Sequence, residues 1–473
     1  MTASQAHVRR TARTAASGHT AASGRGEPPP TAGRRAAGEQ LARRTGRVLL
    51  RWLLGVLLRW LLGVLLGWLL VAFAHQVVTG SFWLWGIPDP LPLLLFFAGP
   101  LVVLAAITML LLARSALPRP DRILVSLAAA ALGLIVLHLA LSGRTWLWDI
   151  PDLMPPAVYL LLPLALLAAV AALTVRRQAL ARRTRWWVTL LALGALVLGA
   201  GQSGLNLRAL RGGAGGTVPP GAIRVASWDT LQWDTGGNPG RFYRYLTGQH
   251  ADVYLLQDYA HPASGPPRLV DDSQRLRSAF PGYYFATAGD LLTISRFPVA
   301  ASAAFETNPA PPAGTANIYF LKGWKYSALR TDLRIGGRIF SVYNVHFFDR
   351  FYLNVVPLTP TFFRNVRGLD VARRAQFTRL RADISKNPHP LLASGNFNTQ
   401  PDGGDLRLGS LTDAATRSRS PYPATFAFFG PALWRVDLTF TTPAVGVRQY
   451  DIRDPHGMST HSLQDVLVSL PSR

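Results

Sequence analysis

Five apolar runs, each close to the length of a membrane-spanning helix, occupy residues 48–201. The runs are roughly 48–74, 91–113, 123–142, 156–175 and 186–201. An α-helix needs about 20 apolar residues to cross the hydrocarbon core of a bilayer. We therefore predict an all-α, multi-span transmembrane region of about five helices over residues 47–205.

This region contains an internal repeat. TGSFWLWGIPDPLP begins at Thr79, and SGRTWLWDIPDLMP begins 63 residues later at Ser142. Each copy is followed by an apolar run, a basic loop and another apolar run. Tryptophans of the kind that both copies carry are typical of the membrane–water interface. The repeat therefore indicates a duplicated pair of helices whose connecting segments lie at the membrane surface.

The distribution of charge predicts the orientation of these helices. Residues 1–221 hold 22 Lys and Arg against 6 Asp and Glu, and the basic residues lie in the N-terminal tail and in the loops 114–122 and 176–185. Basic loops stay in the cytoplasm. We predict a multi-pass cell-membrane protein with a cytoplasmic N-terminus and an extracytoplasmic C-terminal domain. Its excess positive charge then reflects membrane topology and contact with membrane lipids, and nucleic acid is an unlikely partner.

The remaining segments outside the C-terminal domain are simple in composition. Residues 1–46 contain hardly any large apolar side chains, so we predict a disordered, basic cytoplasmic tail. The long apolar run that follows it is not typical of a cleavable signal peptide. Residues 206–221 form a linker rich in Gly and Pro. Because the chain has no cysteine, disulfides, thiolate catalysis and Cys-ligated zinc are excluded.

Residues 222–473 predict one globular domain. Short runs typical of β-strands, such as IRVASW, DVYLLQ, SVYNVHF and DVLVSL, alternate with turns and a few helices. The clearest helix is 368–385, with a predicted apolar stripe of Val371, Phe377, Leu380 and Ile384. Many strands with few helices favour a layered α/β (α+β) sandwich.

Polar residues stand where several of these strands end. They are Asp229, Asp258, His346, Asn396, Asn398, Asp437 and His461. A single polar residue after a strand is usually a turn former. Carboxylates, amides and two histidines gathered at one rim suit a hard divalent cation and a phosphate.

The motifs around these residues resemble the endonuclease/exonuclease/phosphatase superfamily, whose fold is that of DNase I. In chain order they are SWD ending at Asp229, LQD ending at Asp258, SRFP beginning at Ser295, NVH ending at His346, GNFN from Gly395, WRVD ending at Asp437 and STH ending at His461. The resemblance covers essentially all of residues 222–473 and implies a four-layer sandwich. The helices in front of it resemble, more loosely, membrane-anchored actinobacterial members associated with glycopeptide resistance.

The resemblance implies a role for each matching residue. Asp258 takes the metal-binding acidic position, and His346 and Asn398 contact phosphate oxygens. Asp437 orients His461 beside the scissile phosphorus. These positions imply hydrolysis assisted by Mg²⁺ or Mn²⁺.

Three positions depart from the family pattern. Asn396 replaces the aspartate that aligns the attacking water, Thr460 replaces a second aspartate near the metal, and Asp229 replaces an asparagine. A carboxamide cannot accept a proton from water. Our hypothesis is that the carboxylate has changed sides of one hydrogen bond, so that Asp229 serves as base or metal ligand and Asn396 as its donor.

Three functions are compatible with this sequence. The first is a membrane-anchored, divalent-metal-dependent phosphoesterase acting outside the membrane, on a phosphorylated substrate such as a lipid-linked phosphate or diphosphate. The second is an inactive, phosphatase-like binding or sensor module, favoured by Thr460. The third is an extracytoplasmic nuclease.

The segment 346–367 is rich in aromatic residues and arginine. It fits a surface that dips into the membrane interface and meets an anionic lipid. It fits an ordinary buried flap equally well, and, as a third interpretation, a surface that stacks on single-stranded nucleic acid.

Overall fold

The computed structural model describes residues 83–84, 87–88, 90–175, 180–210, 218–231, 233, 238–261, 268–307, 325–351, 359–401, 403–427 and 431–471. All of them belong to one compact unit, Ala72–Arg473. The predicted tail, the first apolar run and residues 211–217 of the predicted linker lie outside the described residues.

Four helices occupy the last four apolar runs. They are α1 (Pro90–Leu111), α2 (Arg119–Leu141), α3 (Val158–Val175) and α4 (Arg182–Gly199). Short 3-10 turns at Trp146–Asp149 and Pro151–Leu153 lie between α2 and α3, and two-residue strands, Trp83–Leu84 and Ile87–Pro88, pair with each other before α1. Small side chains such as Ala128, Ala131, Ala192 and Ala195 are buried between the helices, which lets the helix backbones approach closely.

The number of spans in the described residues is smaller than five. Two helices, Arg119–Leu141 and Arg182–Gln202, are long and apolar enough to cross a membrane. A third span is obtained if Trp146–Leu153 and Val158–Thr174, which meet at an angle of 60°, are taken as one bent span. The described part of the chain therefore supports two or three spans. Of α1 only Gly99–Leu111, too short for a span by itself, counts toward this number, and the first run is not described.

The C-terminal domain is built on two six-stranded sheets. The strands are β1 (Ile223–Asp229), β2 (Val253–Gln257), β3 (Tyr284–Ala288), β4 (Leu291–Ser295), β5 (Val299–Glu306), β6 (Tyr326–Ile335), β7 (Arg338–His346), β8 (Leu391–Asn396), β9 (Asp437–Thr441), β10 (Gly446–Arg453) and β11 (Leu463–Ser469). One sheet has the order β10-β11-β1-β2-β4-β3. The other has the order β9-β8-β7-β6-β5, with the short strand Thr412–Asp413 at the edge beside β9.

Each sheet contains one parallel pair at its centre. β1 and β2 are parallel in the first sheet, and β7 and β8 are parallel in the second. The described neighbours around them are antiparallel. Because side chains alternate along a strand, each central strand presents one apolar row to the opposite sheet and one to the outside. Val225, Leu255, Val342 and Leu392 lie in the core between the sheets.

Helices cover the two outer faces. The helices α5 (Pro239–Thr247) and α6 (Ser273–Ala279) pack on the first sheet, where Trp228 and Tyr254 belong to the same core. The long helix α7 (Pro360–Lys386) packs on the second sheet through Phe377 and Leu380. The layers are helix, sheet, sheet, helix. The predicted four-layer, DNase I-like sandwich is confirmed.

Helix α7 begins eight residues earlier than predicted. The Thr359 side chain caps it by accepting a hydrogen bond from the Phe362 N–H, and Pro360 follows at the first helical position, where its missing N–H costs nothing. Phe377 and Leu380 are buried as expected, but Val371 is 46% exposed. Nine residues separate Val371 from Leu380, and nine steps of 100° place the two on opposite faces of a helix.

The aromatic segment after His346 is largely buried where it is described. Phe347, Phe348 and Phe362 are all buried. Phe351, Phe362 and Phe363 form a small cluster with Trp146 and Ile150 of the segment between α2 and α3. These rings therefore act as packing residues, as in a buried flap.

Candidate active site

The two parallel pairs bring most of the predicted site residues to one edge of the sandwich. Asp229 pairs in register with Gln257 at the ends of β1 and β2, which places Asp258 next to that pair. In the other sheet His346 pairs with Asn396, and Asn396 pairs with Asp437. Parallel strands end at the same edge, so the sheet topology alone juxtaposes these residues.

A side-chain hydrogen bond joins the two sheets at this edge. The Nδ2 atom of Asn396 donates to Oδ2 of Asp229 over 2.8 Å, and both residues are buried. The other carboxylate oxygen, Oδ1 of Asp229, accepts from the Leu231 N–H at 2.9 Å. The hydrogen bond that the exchange hypothesis requires is therefore present, with Asn396 as donor and Asp229 as acceptor.

The backbone before Asn396 is possible only with glycine. Gly395 has φ +141°, and a Cβ atom built on it would lie 2.0 Å from the carbonyl oxygen of Val345 on the neighbouring parallel strand. The first glycine of GNFN thus permits the close approach of β7 and β8 that sets His346 beside Asn396.

Each histidine is held by a carboxylate. His461 Nδ1 lies 2.9 Å from Asp437 Oδ2, as the sequence resemblance implied. His346 Nδ1 lies 2.6 Å from Oδ2 of Asp290, while its Nε2 lies 3.8 Å from Asp229 Oδ2. Asp290 was not predicted.

Asp290 could have been recognised from the strand pattern. It immediately precedes β4, which runs antiparallel to β2 with Leu292 opposite Leu256. The beginning of β4 therefore lies at the edge where β2 ends. Asp290 ends no strand and was therefore not predicted. An antiparallel neighbour, however, contributes its first residue to the same rim.

The carboxylates set the charge of both imidazoles. Burial opposes the charged form of His346, but Asp290, with Asp229 and Asp258, raises its pKa to about 10. Burial likewise opposes the charge on His461, and Asp437 and Asp229 raise its pKa to about 9. For Asp229 burial favours the neutral acid, but the nearby His461 and His346 lower its pKa. At neutral pH the site therefore holds two imidazolium groups and ionised Asp229.

One group of side chains here has the spacing of a metal site. Single ligand atoms of Asp229, Asp437 and His461 all lie within 4.8 Å of one another. The two carboxylates of this group are ligands that divalent cations accept, so the residues present fit the implied metal, with His461 beside it as an imidazolium. Asp258 is outside this group of three, although its carboxylate contributes to the pKa shift of His346. Thr460 is exposed.

Two site residues have strained backbones. Asp258 and Asn398 have φ values of +51° and +49°, a region that residues other than glycine seldom adopt. The backbone N–H of Asn398 donates to Asn396 Oδ1 at 2.8 Å, and its side-chain Nδ2 donates to the Phe347 carbonyl oxygen at 2.8 Å. Such strain persists where the surroundings fix it, commonly at functional sites.

The loop that carries His461 is tied to the end of β1. The Ser459 hydroxyl donates to the Asp229 carbonyl oxygen at 2.8 Å and accepts from the His461 N–H at 3.0 Å. The indole Nε1 of Trp228 donates to the His461 carbonyl oxygen at 2.9 Å. His461 is therefore positioned by Ser459 of its own STH motif and by Trp228 of the SWD motif.

Known proteins similar to this chain are found among solved structures. No family model matches the chain, and no curated protein sequence matches it. Solved structures do match. An endonuclease/exonuclease/phosphatase from Bacteroides vulgatus is 18% identical, with 53% of this chain and 99% of that chain covered and a TM-score of 0.37. Sphingomyelinase C from Streptomyces griseocarneus is 16% identical (52% and 99% covered, TM-score 0.36), and the human Nocturnin catalytic domain is 18% identical (54% and 97% covered, TM-score 0.37).

The C-terminal domain has the DNase I-like fold of the endonuclease/exonuclease/phosphatase superfamily. This assignment follows from the four layers, the two six-stranded sheets and their central parallel pairs.

Proposed function

We propose that the protein is a membrane-anchored, divalent-metal-dependent phosphoesterase that acts outside the membrane on a lipid-linked phosphate or diphosphate. The observation that carries the proposal is the 2.8 Å hydrogen bond from Asn396 to Asp229, at the point where Asp229, Asp437 and His461 converge. It supplies a carboxylate at the water site despite the amide at position 396.

The proposed roles follow from the chemistry of each side chain. Asp229 accepts the proton of the attacking water or binds the metal, and Asn396 orients Asp229 by donating to it. Asp258 assists in holding Mg²⁺ or Mn²⁺. The cation, when bound, would polarise a phosphate oxygen. The two imidazolium groups, His346 and His461, stabilise the negative charge that develops on the phosphate.

Asn398 is proposed to lie close to the phosphate, with its side-chain amide held in place by the protein. Its side-chain nitrogen already donates to Phe347 O, so this group shapes the loop after His346. Asp437 orients His461 through the Nδ1 contact. These residues complete the set that the sequence resemblance implied.

The membrane location rests on the helices and on charge. Two or three described helices can cross a bilayer, and the basic loops favour a C-terminal domain outside the cytoplasm. A phosphate carried by a lipid is available to such a domain at the membrane surface. This combination favours a lipid-linked substrate over free nucleic acid.

The proposal is tested with the full chain in detergent micelles, with Mg²⁺ or Mn²⁺. Bis(p-nitrophenyl) phosphate serves as a general phosphodiester and a polyprenyl diphosphate as the lipid-linked substrate. We expect hydrolysis that EDTA abolishes. Asp229→Asn should lower kcat about 10²- to 10⁴-fold, because it removes the only proposed proton acceptor.

The exchanged pair provides a matched control. Asp229→Asn/Asn396→Asp returns the carboxylate to the other side of the same hydrogen bond, so we expect it to recover much of the activity that Asp229→Asn loses. If each single substitution abolishes hydrolysis and the double substitution recovers none, the exchange hypothesis is wrong. If the unaltered protein hydrolyses neither substrate, the binding-module interpretation replaces the proposed function.

A further inference from the structure

The segment between α2 and α3, residues 142–157, contacts three loops of the candidate site; we call it the inter-helix loop. Nε1 of Trp434 donates to the Leu153 carbonyl oxygen at 2.8 Å. Nε2 of Gln400 donates to the carbonyl oxygens of Asp152 and Met154 at 2.9 and 3.0 Å. Gln400 is two residues after Asn398, and Trp434 is three residues before Asp437. The inter-helix loop is therefore bonded to loops that carry site residues.

A buried arginine lies at the centre of this contact. Arg350, four residues after His346, is 4% exposed. Its Nη1 lies 2.6 Å from Asp149 Oδ1 and 3.1 Å from Asp152 Oδ2, both in the inter-helix loop. Its Nη2 donates to the hydroxyl of Thr399, the residue after Asn398. One guanidinium thus links the inter-helix loop to the loops that follow His346 and Asn398.

The backbones at this contact are too close for side chains. A Cβ atom on Gly143, which has φ +66°, would lie 2.3 Å from the carbonyl carbon of Gly404. A Cβ atom on Gly404 would lie 2.0 Å from the Ser142 carbonyl oxygen. In addition, the Gly404 N–H donates to Ser142 Oγ at 3.0 Å. Two facing glycines therefore allow a close-packed interface between the helical region and the site domain.

The internal repeat shows that the acidic pair is specific to this copy. In the earlier copy Gly86 stands at the position of Asp149, whereas Asp89 matches Asp152. Only the copy that contacts Arg350 has both acids. A buried arginine needs compensating carboxylates. Asp149, which has no acidic counterpart in the earlier copy, supplies one of them.

We propose that Asp149, Asp152 and Arg350 are positioning residues of the phosphoesterase site, and that the inter-helix loop is part of that site. The two carboxylates fix the guanidinium, and the guanidinium fixes the loops that place His346 and Asn398. The inference rests on the proposed function for its activity readout. Displacement of reacting groups by about 1 Å costs on the order of 10²-fold in rate, so this linkage controls turnover.

The test compares two variants of the full chain in micelles. Arg350→Met leaves Asp149, Asp152 and Asp405 buried without the guanidinium that pairs with them, which is destabilising, so its thermal midpoint should fall. Arg350→Met/Asp149→Asn/Asp152→Asn removes two of these three charges, and its midpoint should partly recover. We expect kcat per folded protein to be about 10- to 100-fold lower in both variants. Recovery of kcat together with the midpoint would show a structural role only and overturn the proposal.

A matched control removes a carboxylate from an exposed ion pair. Glu306, 3.2 Å from Lys325, has a side chain that is 51% exposed. Glu306→Gln should leave both midpoint and kcat unchanged, because exposed ion pairs contribute little.

A readout independent of turnover separates this inference from the proposed function. The amides of Phe347 and Phe397 donate to backbone oxygens of Asn396 and Val436 at 2.9 and 3.0 Å. Hydrogen exchange at these amides should be about tenfold faster in the triple variant than in the unaltered protein. Unchanged exchange rates overturn the inference. If exchange rises but the unaltered protein hydrolyses nothing, the positioning stands and the proposed function fails.

Discussion

At the residue scale, a single hydrogen bond determines how the altered motifs are interpreted. Asn396 and Asp229 both depart from the family pattern, and the structure places them 2.8 Å apart. Asp290 adds a second carboxylate that the motifs do not include, at 2.6 Å from His346. The site therefore retains more acidic groups than the substitutions at 396 and 460 alone indicate.

Asp290 provides a test at this scale. Asp290→Asn keeps the shape of the side chain but removes the charge that holds His346 Nδ1. Partners of this kind are worth about 10- to 100-fold in activity, so we expect kcat per folded protein to fall by that factor. The thermal midpoint should fall as well, because buried His346 loses the carboxylate that stabilises its charge. Asp271→Asn, at an exposed aspartate, is the control and should leave kcat and the thermal midpoint unchanged. Full activity of Asp290→Asn would show that His346 needs no orienting partner.

At the element scale, the pattern of burial explains which strands the sequence could predict. The strands β1, β2, β4 and β8 are buried along nearly their whole length, so they appear in the sequence as continuous apolar runs. In the edge strand β5 most residues are exposed, and in the edge strand β10 Tyr450 alone is fully buried; neither strand was predicted. Edge strands pack on one side only, and their composition is that of the surface.

The same limit applies to the site. Residues that follow buried strands were predicted, because the sheet brings strand ends together. The contact of Asp149 with Arg350 joins positions 201 residues apart, and no local pattern indicates such a pairing. The predicted face of α7 is wrong at Val371 for a different reason, because the helical repeat itself places Val371 opposite Leu380.

The helix α7 gives a test of packing. Phe377 is buried against Phe347 and Phe397, with ring centroids 4.7 and 6.5 Å away. Phe377→Ala should lower the free energy of unfolding by about 3–5 kcal/mol. Val371→Ala on the exposed face should change it by less than about 0.5 kcal/mol. Denaturant unfolding of the full chain in micelles checks both values, and equal effects would contradict the assigned orientation of the helix.

At the scale of the whole molecule, metal binding distinguishes an enzyme from a binding module that lacks the cation. A ligand at 100 times its dissociation constant stabilises the folded state by about 2.7 kcal/mol. We expect Mg²⁺ or Mn²⁺ to raise the thermal midpoint of the full chain and EDTA to reverse the rise. Asp229→Asn/Asp258→Asn, which removes the two carboxylates proposed to hold the cation, should abolish the effect. If Mg²⁺ and Mn²⁺ leave the thermal midpoint of the native protein unchanged, the result favours the inactive module.

The contact of the inter-helix loop with Gly404 also bears on how the protein is made. Ser142 and Gly404 are 262 residues apart in the chain, so Ser142 has left the ribosome long before Gly404 is synthesised. Their contact forms only after both segments have been synthesised and the domain around Gly404 has folded. Nascent chains, and fragments truncated before Gly404, therefore lack the contact between the inter-helix loop and the C-terminal domain.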